Sequence, residues 1–245
     1  MAKEIIITGC PRTGTTALCS LLYHSSRVLI TNELALYHPD KEAPRKRMRL
    51  PLDSHVKRAL ELKNWSIERL EDFRQGNLSD STIDVFGDKN PDYCLNPAMI
   101  NYFTTNQPCD YYIFTHRNPC AIVASFLRRS AREKDVQATW YSQTAEEAAN
   151  KAVEYTRNWT TYFYPKVDKK KIVIYEDHCE DVNNLIQELN EFLGITLDIH
   201  KPERLYYPVN INTWQDYLSP ADIDMVKRKF EPIDQLVRSL AQDES

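Results

Sequence analysis

The sequence lacks three features that would place it among membrane, nucleic-acid-binding or disulfide-rich proteins. No apolar run approaches the ~20 residues of a membrane-spanning helix, and the net charge of −4 gives no bulk attraction for a nucleic acid. The six cysteines show no C-x-x-C spacing, so neither a zinc site nor a disulfide framework is indicated. A strand begins near Glu4, which leaves no room for a signal peptide. We therefore expect a cytoplasmic protein without a membrane or nucleic-acid partner.

The rest of the composition is that of a globular α/β protein. Of the 245 residues, 42% are hydrophobic and 27% are charged, which suits one large domain over residues 1–245. Strand-like and helix-like segments alternate, which favours a mainly parallel central sheet flanked by helices, with the site at the carboxyl ends of the strands. The predicted strands begin near Glu4 and cover Arg27 to Ile30, Thr82 to Phe86, Tyr111 to Thr115 and Lys171 to Tyr175.

Helical patterns fill the intervals between these strands. The predicted helices cover 53–75, Asn96 to Thr105, Asn118 to Ser130, Thr144 to Tyr164 and Asp181 to Leu193, and another begins at Ser219. We expect Gly194 to end the helix before it, because glycine readily takes the left-handed conformation of a helix C-cap. The aromatic residues between 155 and 164 have helical spacing and predict core packing.

Glycine is scarce, with five in the whole chain, yet Gly9 and Gly14 bracket one short loop. The loop follows the apolar run Ile5 to Ile7 and precedes a helical segment. Backbone N–H groups of such a loop, together with the positive end of the following helix, bind phosphate. The Gly-x4-Gly spacing is that of a Walker loop, but Thr15 stands where the Lys belongs, and Arg12 is the one cation of the loop. An ordinary nucleoside triphosphate is therefore disfavoured as the ligand.

Polar side chains also follow other predicted strands. Glu33 comes after the second strand, and Lys89 lies in a polar turn predicted for Gly87 to Pro91 after the third. Arg117 follows the fourth strand. Because parallel strands end at one edge of the sheet, we expect these groups to converge on the glycine-bracketed loop.

A second phosphate-binding group is predicted where the fourth strand leads into a helix. The hydroxyl of Ser125 lies about two helical turns after Arg117, and Arg129 follows one turn later on the same helical face. A guanidinium together with a hydroxyl is what a phosphate monoester requires.

Together these segments resemble the sulfotransferases that use 3'-phosphoadenosine 5'-phosphosulfate (PAPS). The loop resembles their 5'-phosphosulfate loop, and Arg117 with Ser125 eight residues later resembles their 3'-phosphate motif. Further resemblances, within an ordered match over residues 4–195, are Asp88 to Pro91, Ile174 to Asp177 and Phe192 to Ile195. The resemblance implies PAPS as donor, with contacts from Pro11, Arg12, Thr13, Gly14, Thr15, Thr16, Arg117, Ser125, Arg129 and Tyr175.

Within this superfamily the chain resembles the tyrosylprotein type more than the cytosolic steroid and phenol type. Pro91 stands where the cytosolic type has a His, and Glu33 lies 21 residues after Arg12, as the acidic residue of the tyrosylprotein type does. The resemblance implies Glu33 as the base, with Arg12 and Lys89 stabilising charge on the leaving phosphate, so that no metal is required. The C-terminal segment that contacts the donor is not recognisable around Asn210 to Trp214.

The sequence leaves several acceptors and two other functions open. A small phenolic compound or a tyrosyl group is favoured as the hydroxyl acceptor, because a phenol pKa near 10 eases deprotonation, and a carbohydrate is the alternative. A P-loop small-molecule kinase shares the fold but would need the Lys that Thr15 replaces. A non-enzymatic nucleotide-binding module would require Glu33 and Lys89 to point away from the ligand. The basic run Lys41 to Arg49 is interpreted as a solvated loop, with an anion-contacting or acceptor-contacting flap as the alternative.

Overall fold

A parallel sheet organises the computed structural model, which describes residues 2–33, 60–74, 80–95, 97–106, 108–131, 138–208 and 213–243. The strands are β1 (Lys3–Gly9), β2 (Val28–Asn32), β3 (Val85–Lys89), β4 (Tyr111–His116) and β5 (Lys170–Ile174). Their order is β2-β3-β1-β4-β5, and each neighbouring pair is parallel. The predicted α/β class, with a mainly parallel central sheet flanked by helices, is confirmed.

The helices begin and end largely where their capping residues predict. They are α1 (Thr15–Tyr23), α2 (Ile67–Arg74), α3 (Pro97–Asn101), α4 (Pro119–Ser130), α5 (Ala145–Asn158), α6 (Tyr175–Cys179), α7 (Val182–Leu193) and α8 (Pro220–Asp243). The Asn118 side chain accepts hydrogen bonds from the first-turn N–H groups of α4. Gly194 ends α7 in the left-handed conformation, with φ of 65°. No helix in the described part of the chain has the length and apolar character needed to span a bilayer.

The third strand corrects one prediction. Gly87, Asp88 and Lys89 were predicted as a polar turn but form the second half of β3, hydrogen-bonded to β1 on one side and to β2 on the other. The buried Asp88 carboxylate is satisfied there, because Thr31 Oγ1 donates to Oδ1 at 2.7 Å and Tyr93 Oη donates to Oδ2 at 2.6 Å. Tertiary partners therefore override the turn-like composition of this segment.

Other element ends also differ from the predictions. The helix predicted over 144–164 is α-helical only as far as Asn158 and continues as a π-helical turn, Trp159–Phe163, and a 3₁₀ turn, Tyr164–Lys166. Pro165 lies in this last turn and has no backbone N–H to continue an α-helix. The fifth strand ends at Ile174, so that Tyr175 begins α6 instead of closing the strand.

Each face of the sheet is covered by its own apolar cluster. On one face α1 and α7 pack their leucines against Ile5 and Ile7 of β1. On the other face α4, α5 and α8 surround Ile6 and Phe114. Most of the predicted aromatic packing is confirmed by the buried Tyr155, Trp159, Phe163 and Tyr164. Tyr162 is the exception, since 53% of this residue is exposed.

The end of β4 is tied to α8 by a buried contact. His116 is fully buried, and its Nε2 lies 2.6 Å from Oδ1 of Asp234, while Arg238 Nε donates to Oδ2 at 3.0 Å. Burial acts to raise the pKa of Asp234, but the hydrogen bond from His116 and the charge of Arg238 outweigh it and hold the pKa below its ordinary value. This contact anchors the backbone immediately before Arg117.

Some predictions concern residues outside the described ranges. These are the basic run Lys41 to Arg49, the part of the predicted 53–75 helix that precedes residue 60, and positions 209–212 of the C-terminal segment.

Candidate active site

The glycine-bracketed loop lies at the carboxyl end of β1 and leads into α1. Gly9 has φ of 143° and Gly14 has φ of 96°, values that residues with a side chain rarely adopt. Arg12 also takes the left-handed conformation, with φ of 73°. Among the described residues no side chain caps α1, so the N–H groups of its first turn and its positive end are available to an anion. The loop therefore has the backbone geometry of an anion-binding site.

Two neighbouring elements hold this loop in place. Thr13 is fully buried, donates to the Cys10 carbonyl at 2.6 Å and lies 2.5 Å from the Thr115 hydroxyl of β4. Gly14 lies directly against the ring of Tyr175, at the start of α6. The side chain of Thr13 thus anchors the loop, whereas Thr15 and Thr16 line the cleft beside it.

Replacing Gly14 by alanine is expected to distort the loop and weaken nucleotide binding. A Cβ atom at Gly14 would lie 2.6 Å from Cδ2 of Tyr175, and the backbone φ of 96° adds strain. We expect Gly14→Ala to lower the free energy of unfolding by about 1–3 kcal/mol and to reduce nucleotide affinity, measured by thermal unfolding and calorimetry. Gly194→Ala is the matched control, because φ is again positive but the nearest neighbouring atom is Lys3 Nζ at 3.9 Å. Equal nucleotide affinity of the two variants would contradict this role of Gly14.

The two predicted phosphate-binding groups lie in direct contact. Arg12 Nε donates to the Ser125 hydroxyl of α4 at 3.1 Å, and Arg117 Nη1 donates to the Arg12 carbonyl at 3.4 Å. Two guanidinium groups and a hydroxyl are thus gathered at the ends of β1 and β4. Such a cluster has the donors and the charge to bind phosphate oxygens.

Arg117 is held in position by two residues that follow β5. Its guanidinium carbon lies 4.7 Å from the ring centroid of Tyr175, and its Nε lies 3.7 Å from Oε1 of Glu176. The same Glu176 oxygen accepts a hydrogen bond from the Asn118 backbone N–H at 3.0 Å. Tyr175 therefore contacts both the loop, at Gly14, and Arg117. Glu176 was not among the predicted site residues, although it is part of the Tyr-Glu-Asp motif.

Glu33 and Lys89 form an ion pair at the ends of β2 and β3. Lys89 Nζ lies 2.6 Å from Glu33 Oε1, and the Glu33 backbone N–H donates to the Lys89 carbonyl at 2.8 Å. The Lys89 side chain is 2% exposed and the Glu33 side chain 49%, so the carboxylate faces the cleft while the ammonium stem is enclosed. Glu33 also takes the left-handed conformation, with φ of 58°. Strained non-glycine backbone concentrates at functional sites, and here it occurs at both Arg12 and Glu33.

A cleft of about 290 Å³ joins the loop to this ion pair. It is lined by Pro11, Arg12, Thr15, Thr16, Glu33, Lys89, Asn90, Pro91, Asp92, Ala138, Thr139 and Trp140. The predicted convergence at the carboxyl edge of the sheet is therefore observed for Arg12, Glu33 and Lys89. Within the described ranges no group of three His, Cys, Asp or Glu is placed to hold a metal ion.

A smaller cleft beside it contains residues that the sequence did not single out. Arg117 and Ser125 line it together with Ala121, Ala124, Arg128, Thr213, Trp214 and Tyr217. Arg128 is the neighbour of the predicted Arg129 on α4. Trp214 and Tyr217 belong to the segment before α8, whose sequence matches no motif of the resemblance. The sequence feature that indicates them is the pair of aromatic residues just before the N-terminus of α8. Their position beside Arg117 depends on the tertiary structure.

A sequence model of the sulfotransferase family matches residues 4–198 of the chain. The chain belongs to the sulfotransferase family. The match contains the loop, the Glu33–Lys89 pair, Arg117 and Glu176, so the sulfotransferase region includes most of the candidate site. No curated protein matches the sequence at a significant level.

Solved sulfotransferase structures share the fold over nearly the whole chain. The sulfotransferase from Alicyclobacillus acidocaldarius is 14% identical with a TM-score of 0.61, and the match covers 99% of this chain and 96% of that one. The sulfotransferase domain of the Synechococcus PCC 7002 olefin synthase is 17% identical, with a TM-score of 0.59 and 94% of each chain covered. Mouse sulfotransferase SULT7A1, solved in complex with PAP, is 12% identical with a TM-score of 0.57, covering 98% of this chain and 89% of that one. The protein is accordingly a sulfotransferase enzyme with this family's fold.

Proposed function

We propose that this sulfotransferase transfers a sulfuryl group from PAPS to a hydroxyl acceptor, favouring a small phenolic compound or a tyrosyl group. The observation that carries the proposal is the cleft in which the anion-binding loop, Arg12 and the Glu33–Lys89 pair meet. One side of this cleft suits a phosphosulfate, and the other side offers a carboxylate to an attacking hydroxyl.

The described residues fit the two anionic ends of PAPS. The uncapped N-terminus of α1 and the loop amides suit the 5'-phosphosulfate, and Arg117 with Ser125 suits the 3'-phosphate. Arg12 lies between the two groups because its side chain reaches Ser125. Trp214 and Tyr217 line the Arg117 cleft and are expected to contact the nucleoside. We retain Arg129 as a proposed donor contact, one turn after Ser125 on α4.

The residues of the cleft divide the chemistry between them. When bound, PAPS supplies an activated sulfuryl group whose displacement leaves a phosphate. Glu33 accepts the proton of the attacking hydroxyl, since its carboxylate faces the cleft. Arg12 and Lys89 stabilise the negative charge that appears on the leaving oxygen. The use of Glu33 as base, with Pro91 in place of a His, favours the tyrosylprotein type of active site.

The donor is tested by comparing nucleotides as ligands. At 100 times its Kd, the product PAP is expected to increase the free energy of unfolding by about 2.7 kcal/mol and thereby to raise the melting temperature. ATP is expected to raise the melting temperature little. Incubation with PAPS labelled in the sulfuryl group and a phenol panel then tests for transfer of the label. Stronger stabilisation by ATP, with phosphoryl transfer to the same panel, would replace this proposal by a kinase.

The reaction is expected to proceed without a divalent metal. The cleft already contains Arg12 and Lys89. Their positive charges neutralise the developing negative charge, as magnesium does in phosphoryl transfer. Removal of metals with EDTA should therefore leave the PAPS-dependent rate within about 2-fold of the untreated rate, a margin far below the usual contribution of an essential metal. A loss of activity with EDTA that magnesium restores would contradict the metal-independent mechanism.

We also propose one domain over 1–245 and a cytoplasmic location. The family match ends at residue 198, but α8 beyond it contributes Val226, Phe230 and Val237 to the same core as β4 and α5. All six cysteines are buried and free of disulfides, which suits a reducing compartment. Limited proteolysis and subcellular fractionation test these two proposals.

A further inference from the structure

Five residues that line the cleft have no part in the proposed donor chemistry. They are Pro91 and Asp92, which follow Lys89, and Ala138, Thr139 and Trp140. Asp92 is exposed and lies three residues after Lys89. An anionic donor is repelled by a carboxylate, so Asp92 belongs to the acceptor side of the cleft.

The Asp92 carboxylate is held in place by two hydroxyl groups. Tyr155 Oη donates to Oδ1 at 2.7 Å, and Thr139 Oγ1 lies 3.1 Å from the same oxygen and 2.6 Å from Tyr155 Oη. The backbone N–H of Asp92 donates to Asn90 Oδ1 at 2.9 Å. Tyr155 is 1% exposed, so a side chain of the packed core orients the carboxylate. The second oxygen, Oδ2, has no hydrogen-bond partner among the residues that the structure describes.

The charge of Asp92 is not neutralised by a neighbouring cation. Its partners are neutral hydroxyls, and in the described part of the chain it forms no ion pair, whereas Lys89 is already paired with Glu33. Burial, followed by the negative charge of Asp92, raises the pKa of Tyr155 far above its ordinary value. Tyr155 therefore remains a protonated donor toward this carboxylate. An oriented carboxylate without a counter-ion, beside a proposed sulfuryl-transfer centre, is suited to a cation.

We propose that Asp92 selects acceptors that carry an ammonium group in addition to the hydroxyl that is sulfated. This inference rests on the proposed function, because it assigns the acceptor to the same cleft. Trp140 and Pro91 line the cleft next to Asp92 and provide apolar surface for the body of the acceptor. The acceptor class is therefore a phenolic amine, with the phenol toward Glu33 and the ammonium toward Asp92.

Four phenols of nearly equal size test this assignment. They carry a para substituent that ends in a methyl, a hydroxyl, an ammonium or a carboxylate group: 4-propylphenol, 4-(2-hydroxyethyl)phenol, 4-(2-aminoethyl)phenol and 3-(4-hydroxyphenyl)propionate. With saturating PAPS, the wild-type kcat/KM for the amine is expected to exceed that for 4-propylphenol by about 10-fold to 100-fold, the usual effect of a charge-assisted hydrogen bond. The carboxylate is expected to be the poorest of the four.

Asp92→Asn separates charge from hydrogen bonding. Asparagine keeps the size and one acceptor oxygen, so the variant is expected to lose most of the preference for the amine and to accept the carboxylate better. The neutral hydroxyl and methyl compounds should change by less than about 3-fold. Asp168→Asn is the matched control, because it removes the same charge from an exposed aspartate. Asp168 lies just before the amino end of β5, whereas the cleft lies at the carboxyl ends of the strands. It should leave all four values unchanged.

The outcomes distinguish this proposal from the proposed function. PAP binding together with turnover of some phenol, but without a preference for the amine in the wild type, overturns the role of Asp92 alone. An amine preference that Asp92→Asn retains also overturns it. Absence of PAP binding overturns the proposed function and this inference with it. An amine that is favoured in the wild type and in Asp168→Asn, but not in Asp92→Asn, supports the proposal.

Discussion

Glu33→Gln is expected to reduce single-turnover sulfuryl transfer by about 10²-fold to 10⁴-fold, while PAP affinity stays close to the wild-type value. Glutamine keeps the size of the side chain and an oxygen within reach of Lys89 Nζ, which lies 2.6 Å from Glu33 Oε1. It does not accept a proton. Chemistry and donor binding are therefore expected to separate, as measured by rapid-quench kinetics and by titration with PAP.

A second variant distinguishes loss of the base from loss of the fold. Glu33→Gly removes the carboxylate but suits the left-handed backbone, where φ is 58°. It should lose turnover as Glu33→Gln does, with a melting temperature no lower than that of Glu33→Gln. If Glu33 only neutralises the enclosed Lys89, Glu33→Gln will show near-normal turnover and a lower melting temperature, because a cation that is 2% exposed loses its charge partner. That result would leave the proposed mechanism without its base.

Arg117→Ala is expected to weaken binding of 3',5'-ADP by about 2 to 5 kcal/mol and binding of 5'-AMP far less. The Arg117 side chain is 11% exposed and lies between the Tyr175 ring and Glu176. A phosphate that displaces water there therefore forms an ion pair with a guanidinium that is largely shielded from solvent. Only the 3'-phosphate distinguishes the two nucleotides. Calorimetric titration of both ligands against the variant measures the difference directly.

The control for Arg117→Ala is Arg157→Ala on the exposed side of α5. It removes the same charge and should leave both affinities unchanged. Arg117→Ala retains the hydrogen bond from the Asn118 N–H to Glu176, so its fold is expected to persist and its melting temperature should be measured beside the affinities. An equal loss for 3',5'-ADP and 5'-AMP would assign Arg117 to a part of the nucleotide that both share.

Local sequence signals predicted the elements whose chemistry is local. The two glycines at 9 and 14 predicted a tight loop, and both have positive φ in the structure. Asn118 before Pro119 predicted the start of α4, and Gly194 predicted the end of α7. These predictions succeeded because a cap or a left-handed glycine is decided by a few neighbouring residues.

Local composition was misleading where distant strands decide the conformation. The polar Gly87, Asp88 and Lys89 form a strand because β1 and β2 supply hydrogen bonds on both sides. The hydroxyls of Thr31 and Tyr93 satisfy the buried Asp88 carboxylate. Tyr93 lies five residues after Asp88, but Thr31 and the two neighbouring strands lie outside any short window of sequence around it.

For this protein, the sequence by itself determined the α/β class, the glycine-bracketed loop and the spacing of Arg12, Glu33, Lys89 and Arg117, because hydrophobic period and turn chemistry are properties of short segments. Only the tertiary structure decided which side chains meet. It placed Arg12 against Ser125 and Glu33 against Lys89. It also placed the Tyr155 hydroxyl against Asp92, although the two residues are 63 positions apart in the sequence. The physical reason is that these contacts depend on the order in which parallel strands pair and on the helices that cover them, and both follow from packing of the whole chain.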